Sequence, residues 1–580
     1  MKLPFFPWLK DIRLNSDTVT GDMSAAVVVT LMLIPQSLAY ALLAGMPAHV
    51  GLYASVLPLI GYALLGRSPA LAVGPVAIAS VMTFDALMPF FVPGSPEWVA
   101  GGMFLALTSG LFLMAFGFLR FGFIAALLSH PVMSGFVSGA AILIILGQIK
   151  TLTGIQVTGG TAVAQLQQLL SNLTNINLVT LTVGLSTFLL LLLARRFAKH
   201  LFTRIGVRGL LLDILTKSSP LVMIGLVTLV LVATGFDGST KTVGMVPTGL
   251  PLIALPTMSS AYSGLVISAL LIGVVGFIES VSMARAIGRV RQVPTDPDAE
   301  LRGLGAANVL SGLSGAFPVT GGLSRSVVNL DAGARTPLAG VFSAMLMVIV
   351  LLGAGQYLAA LPLASLAALI IVAIWSLFDW RTLRDCIRFD RADAAGWLVT
   401  FFGVLGLGVE QGIMLGIALS VGTVLWRQSR PHMAVIGRLP GSEHFRNVNR
   451  HRVETLRNAL LLRVDANLFF ANWDRVREFI DLQAQTLSSG GQVVLSMASV
   501  SDIDTTALEG LQSLARDLHA KEIQLSLCEV KGPISDKLER ANLNSEVDTH
   551  LSNNQAFEAI RAKGHDVVVP NPLSAANGGA

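Results

Sequence analysis

Two charged side chains stand where the surrounding sequence should exclude them. Glu279 and Arg325 lie among apolar and small residues between positions 261 and 335, where a charge costs on the order of 2.5 to 3.5 kcal/mol by insertion scales. A charge kept at that cost points to a bound ion, a proton path or a partner charge. Arg325 follows Gly321-Gly322-Leu323-Ser324, the opening of a short helix, so its guanidinium adds a full positive charge to that helix end. The ligand implied is an anion. Glu279 can take up a proton and carry it with such a ligand, or serve as a structural hydrogen-bonding group. The two charges can also neutralise one another, and both uses coexist if the ligand displaces the partner.

Neutral donors gather around the same positions. Gln36 and Tyr40 stand one turn apart on one helix face and offer an amide and a phenol, and Ser324, Ser326 and Thr320 add hydroxyls. Pro35–Ala41 aligns without gaps on Ile278–Ala284, which brings Gln36 opposite Glu279; Gly45 then meets Gly288. Each stretch is followed at similar distance by a Gly-led short helix, Gly74-Pro75-Val76-Ala77-Ile78-Ala79-Ser80 in one half and Gly321-Gly322-Leu323-Ser324-Arg325-Ser326 in the other. Such helix starts leave their first N–H groups without intrahelical partners at a positive helix end, and two of them facing one another would hold an anion. A Gly-Pro pair can also be only a kink or a packing point in a membrane helix. The recurrence of a Gly-led short helix in both halves favours the binding reading, because inverted repeats place broken helices together at the membrane midplane.

The elements that must position these residues follow from composition. Of 580 residues, 53% are hydrophobic and only 13% charged, with a mean hydropathy of +0.69. That is far too apolar for an ordinary soluble domain. A spanning helix needs about 20 apolar residues. Candidates run over 24–44, 99–118, 123–148, 177–194, 219–235, 261–284, 336–355, 363–378, 392–408 and 411–426, and shorter pieces over 50–66, 75–88, 301–317 and 322–330. Together they make fourteen membrane elements within residues 20–430.

Basic residues cluster after even-numbered elements: Arg67, Arg120, then Arg195, Arg196, Lys199, Arg204, Arg208 and Lys217, then Arg289 and Arg291, Arg381, Arg384 and Arg388, and Arg427 and Arg430. Loops after odd-numbered elements are nearly bare, with Lys150 and Lys241 as exceptions. Both termini are therefore predicted to be cytoplasmic. Residues 1–19 read as a cytoplasmic, interfacial N-terminal segment that is retained, since prolines break the apolar run and no cleavage pattern follows. The net charge of +5 has this topological cause, and no nucleic-acid partner is expected. Cys386 and Cys528 form neither a disulfide framework nor a metal quartet.

Beyond about residue 430 the chain turns hydrophilic. A linker over 431–455 is expected, then a domain over 456–565, then a flexible tail over 566–580. Apolar strands (LLLRVD, QVVLSM, IQLSLCEV) alternate with amphipathic helices (NWDRVREFIDLQAQTL, TTALEGLQSLARDLHA), the pattern of a small α/β domain. It has no phosphate loop and no metal or catalytic cluster, so a binding or regulatory module is expected rather than an enzyme, with no cofactor.

These stretches resemble a known family, the sulfate permease (SulP) anion transporters, through IPQSLAYALLAGMPAHVGLYASVLPLIGYALLGRS, AVGPVAIAS, GFIESVSMARAIG and SRSVVNLDAGARTPLAG. The tail is similar to the STAS domain that closes such transporters. The resemblance implies an α-helical polytopic fold of seven-plus-seven inverted repeats with a core that holds the anion, a gate, and an elevator-like movement between them. It also implies a cytoplasmic STAS domain that contributes to a homodimer. By the same resemblance Gln36, Tyr40, Val76, Ala77, Leu323, Ser324 and Arg325 line the anion site, and Glu279 occupies the acidic position linked to coupling. Thr505 and Thr506 stand where relatives of the STAS domain carry a phosphorylatable hydroxyl, or else cap the helix. The expected activity is secondary transport of a small inorganic anion such as sulfate with H⁺, across a cell membrane, the bacterial inner membrane being the expected one. Bicarbonate with Na⁺ (Glu279, Ser282 and Thr320 supplying oxygen ligands), a dicarboxylate with H⁺, anion exchange, and a sensor that signals through STAS to a regulatory partner stay open.

Overall fold

The computed structural model describes residues 6–10, 15–126, 129–155, 162–247, 249–257, 259–353, 355–543 and 546–569. Parts of the expected N-terminal segment (1–5, 11–14) and most of the expected tail (570–580) lie outside the described residues. The chain divides into two compact units, Met1–Ser420 and Val421–Ala580.

The first unit is helical. Its elements are α1 (Ser16–Leu43), α2 (Ala48–Tyr53), α3 (Leu57–Leu65), β1 (Val73–Gly74), α4 (Ala77–Leu87), α5 (Pro96–Phe118), α6 (His130–Thr153), α7 (Ala162–Ser171), α8 (Leu178–Arg204) and α9 (Gly209–Ala233). The second half supplies α10 (Tyr262–Arg291), α11 (Pro297–Leu313), β2 (Thr320–Gly321), α12 (Leu323–Asp331), α13 (Leu338–Gly353), α14 (Gly355–Ala359), α15 (Leu363–Ile374), α16 (Trp380–Phe389), α17 (Arg391–Leu407) and α18 (Val409–Ser429). Among the described residues eight helical stretches are long and apolar enough to cross a membrane, and α4, α13 and α15 are shorter apolar helices. Polar starts delimit them. Asn15 accepts the Thr18 N–H at 2.8 Å, and Ser95 accepts that of Trp98 at 3.1 Å ahead of Pro96. Both are N-cap arrangements that satisfy an orphan donor.

The fourteen expected elements correspond to α1, α2 with α3, α4, α5, α6, α8 to α13, α15, α17 and α18. The second is broken after Tyr53, and the fifth begins at His130 rather than near 123, because Gly122–Ala126 forms a 3-10 turn and Pro131 opens α6. Helix α16 occupies what reads in sequence as a loop. It turns Leu383 and Cys386 inward and Arg381, Arg384 and Arg388 outward, which makes it a short amphipathic helix.

Packing sorts the helices into two bundles that each draw on both halves of the sequence. Helices α1 to α5 pack with α10 to α13, and α6 and α8 pack with α15 and α17. Small residues set the close crossings. A Cβ added at Gly305 on α11 would stand 2.8 Å from the Gly110 carbonyl oxygen on α5, so the two backbones lie in contact.

The second unit is α/β. Its sheet runs β4 (Phe445–Asn447), β3 (Met433–Arg438), β6 (Ala459–Val464), β7 (Gln492–Ser496), β8 (Gln524–Cys528), β9 (Asp548–His550). Strand β3 is antiparallel to both neighbours, and β6 to β9 are parallel. Helices α19 (Trp473–Ala484), α20 (Thr505–Ala520), α21 (Gly532–Arg540) and α22 (Asn553–Ala562) connect the strands, and β5 (Thr455–Leu456) pairs with β10 (Val567–Val568). Leu462, Val493, Leu495, Leu511 and Leu514 lie in its buried core. Two strands, β3 and β4, thus fall inside the expected linker 431–455. Both are short, and β3 depends on β6, a strand that comes later in the chain, while β4 pairs only with β3, so local periodicity did not reveal them.

Candidate functional site

The two mini-strands cross at the centre of the first unit. Val73 pairs with Gly321 and Gly74 with Thr320, antiparallel. Each leads almost at once into a short helix, α4 at Ala77 and α12 at Leu323. The starts of the two helices are adjacent, since Arg325 in the first turn of α12 reaches the Pro75 carbonyl just before α4. Neither end is capped by a side chain, and Pro75 has no N–H to give. The positive ends of two helices therefore face a common space.

Backbone and hydroxyl bonds fix the crossing. The Gly322 N–H donates to Ala72 O at 3.0 Å, the Ala72 N–H to Ser326 Oγ at 2.9 Å, and Asn329 Nδ2 to Ala70 O at 3.0 Å. From α10, Ser280 Oγ accepts the Gly321 N–H at 2.8 Å. The Ser280 and Thr320 hydroxyls lie 2.6 Å apart and both reach Gly276 O. Ser326 and Thr320, which read in sequence as ligand donors, are committed to the frame. Ser282 likewise donates to Ile278 O at 2.7 Å.

Arg325 is 2% exposed. Its Nη1 donates to the Pro75 carbonyl at 2.6 Å, from α12 across to the start of α4. Its Nε and Nη2 are buried without a partner. Two glycines make room for it: a Cβ at Gly74 would stand 3.3 Å from Nη2, and one at Gly322 3.0 Å from Nη2 and 3.1 Å from Nε. Gly74 also has φ +153°, outside the range side-chain-bearing residues prefer. Glu279 and Tyr40 lie within electrostatic reach of the guanidinium. Glu279 forms no ion pair with it, and Glu279 Oε2 is buried without a partner. An arginine with two unused N–H-bearing nitrogens beside two uncapped helix ends can take a small oxyanion and give it several charge-assisted hydrogen bonds.

The other expected residues fall around this point. Gln36 and Tyr40 are half-buried on α1, which packs on both α4 and α12. Val76 is the residue before α4 and Ala77 its first, both buried. Leu323, 47% exposed, and Ser324, also exposed, form the first turn of α12.

Two features escaped the sequence reading. Ser280 anchors β2, and its signal was present: in the repeat alignment it falls opposite Ser37, which is also fully buried and bonded to Ser55 Oγ at 2.7 Å. Glu300 on α11 is 1% exposed and accepts from Tyr62 Oη at 2.7 Å and the Ser68 N–H at 2.9 Å, a satisfied carboxyl of structural kind. In the second unit Thr505 and Thr506 are exposed at the start of α20. The cap is Asp504, whose Oδ1 accepts the Ala507 N–H at 2.8 Å, so the hydroxyls are not the cap.

Comparison with known proteins agrees with this architecture. Residues 19–400 match the sulfate permease family, and residues 450–556 match the STAS domain. The chain is 32% identical over 538 residues to the chloroplastic sulfate transporter 4.1 of Arabidopsis thaliana, covering 90% of this chain and 77% of that one. It is also 32% identical over 531 residues to a probable sulfate transporter of Mycobacterium tuberculosis, covering 90% and 91%. The fold matches that of the murine Solute Carrier 26 family member A9 anion transporter in the inward-facing state, with a TM-score of 0.86, 21% identity and coverage of 96% and 93%. The transmembrane domain of a cyanobacterial bicarbonate transporter matches with a TM-score of 0.58 at 24% identity, over 71% of this chain and 99% of that one. The crossed half-helices thus belong to a multi-pass membrane protein of the sulfate permease family of anion transporters, with a C-terminal STAS domain.

Proposed function

We propose that the chain is a secondary active transporter of sulfate coupled to protons, with the anion held between the N-terminal ends of α4 and α12. The observation that carries this reading is Arg325, buried at the crossing with Nε and Nη2 unsatisfied. A buried guanidinium with two nitrogens left unsatisfied is costly unless an anion completes it. Val76, Ala77, Leu323 and Ser324 supply the two helix ends, and Gln36 and Tyr40 the facing wall. Glu279 carries the proton: it stands close to Arg325 without pairing to it, so anion and proton can arrive together and leave the site nearly neutral for passage. The names of the sulfate transporters it resembles support sulfate as the cargo.

The distribution of basic loops supports cytoplasmic termini, which puts the ends of α8 and α10 near Arg204 and Arg291 on the inner side. Residues 20–430 act as the transport domain and 456–565 as a cytoplasmic STAS domain that contributes to a homodimer. Thr505 and Thr506 are its exposed candidates for regulation.

Reconstitution tests the reading. Radiolabelled sulfate should accumulate in proteoliposomes when the outside is acidified and no Na⁺ is present. Uptake indifferent to the pH gradient would sink proton symport, and uptake that needs Na⁺ would replace it with sodium coupling.

A further inference from the structure

Lys150 breaks the charge pattern of the odd-numbered loops, and the proposed central site leaves it without a role. It lies in the last turn of α6, half-buried on the wall of a cavity of about 490 Å³ enclosed by α1, α4, α6, α7 and α15. Its ammonium lies 5.7 Å from the centroid of the Phe84 ring and makes no ion pair among the described residues. A contact of that kind returns less than an unpaired ammonium in a largely apolar cavity costs.

The one other charged group on the cavity wall among the described residues is Asp85. It is engaged elsewhere, accepting the Val409 N–H at 3.2 Å at the start of α18. Gln148 and Thr151 add neutral donors beside Lys150. The Lys150 ammonium with these donors beside it is the part of the wall that suits an anion.

The place of the cavity gives it a use. Helix α4 has its N-terminal end at Arg325 and its C-terminal end, with Phe84, Asp85 and Met88, in the cavity wall. At 1.5 Å per residue, Asp85 stands about 12 Å along the helix from Ala77. The last turns of α1 and α6 also line the cavity, at the end of the bundle away from Arg204 and Arg291.

We infer that this cavity is a second anion station, in which Lys150 holds a small inorganic oxyanion at the outer mouth before it passes along α4 to Arg325. Its role in transport rests on the function proposed above, whereas its binding of an oxyanion does not.

Charge at position 150 tests it. In proteoliposomes, Lys150→Gln should raise the external sulfate concentration needed for half-maximal uptake about ten-fold and leave the maximal rate nearly unchanged, and Lys150→Arg should restore the native value. An unchanged half-saturation in Lys150→Gln overturns the station. Binding is read separately with Lys150 kept and a reporter thiol placed on the exposed part of the cavity wall, Val92→Cys, in a chain carrying Cys386→Ser, Cys528→Ser and Arg325→Ala, which has lost the central site. External sulfate, against chloride at equal ionic strength, should slow modification of the introduced thiol by an anionic, membrane-impermeant thiosulfonate. No protection overturns the station even if wild-type uptake is normal. Protection in a protein that proves unable to carry sulfate upholds the station and removes the proposed function. Protection by anionic lipid vesicles with none by free sulfate overturns it in favour of a headgroup.

Discussion

The guanidinium of Arg325 donates to the carbonyl of Pro75 at 2.6 Å, a bond that spans 250 residues of sequence. It joins the start of one half-helix to the start of the other and leaves Nε and Nη2 of the same side chain buried without a partner. The arginine is therefore both a brace of the crossing and the source of its charge, and the two roles separate by mutation.

Arg325→Ala removes both. The protein should still assemble, since the β1 and β2 pairs and the Ser280 contact stay, but a thermal-shift titration with sulfate should show no stabilisation. A midpoint shift equal to that of wild type would falsify the location of the anion. Arg325→Lys keeps the charge and loses the planar fork, so it should bind sulfate at least about ten-fold more weakly.

Glu279→Gln should leave sulfate binding measurable and abolish its response to protons. In proteoliposomes the variant should exchange internal for external sulfate at a rate that no longer depends on the pH gradient. Accumulation driven by acid outside, at the wild-type level, would assign the proton to another group.

Ser280→Ala strands the Gly321 N–H, which the serine hydroxyl accepts at 2.8 Å. Leaving a buried donor unsatisfied costs about 1–3 kcal/mol, so the midpoint of detergent-solubilised protein should fall. Sulfate affinity should fall with it, because β2 positions the first turn of α12. An intact midpoint would mean that water replaces the hydroxyl.

Cys528 ends β8, buried within the second unit, and burial pushes its thiol up to about 12. At pH 8 the folded domain should resist maleimide at this position and react only after denaturation. Rapid native labelling would place the thiol at an accessible surface.

Arg438 binds the carboxylates of Glu454 and Glu558 and lies over the Phe557 ring, 4.3 Å from its centroid. The hydrogen bond from Arg438 holds the Glu558 carboxyl below the usual range. A carboxyl whose folded value is depressed stabilises above its unfolded value and loses that contribution as pH falls through the folded one. Urea midpoints of wild type and Arg438→Met should therefore differ at pH 7 and converge only as the pH falls below the ordinary glutamate range, through the depressed Glu558 value. A gap that persists at low pH would assign the effect to packing on Phe557.

Much of this architecture was legible because a bilayer leaves few choices. The membrane elements, the two Gly-led half-helices and the misplaced charges at Glu279 and Arg325 are all local statements about apolar length and charge. What stayed hidden depends on distant contacts. Whether Arg325 pairs with Glu279 could not be decided from spacing; the structure turns Arg325 to a backbone carbonyl instead. Thr320 and Ser326 looked like ligand donors because composition cannot tell a hydroxyl facing a ligand from one satisfying a neighbouring strand. Strand β3 was invisible for the same reason, since its partner β6 lies beyond two further strands of sequence.

The two-residue ladder between Val73–Gly74 and Thr320–Gly321 also bears on how the protein is made. When the first half has entered the bilayer, β1 has no partner, and the polar backbone around it stays unsatisfied until the ribosome has delivered β2 and α12. Unpaired backbone is poorly tolerated in lipid, so the first half should wait in the translocon or with a chaperone rather than settle alone. The crossing then comes into being in a single late step, and any chain that stops short of β2 is marked as unfinished by the unpaired backbone of β1.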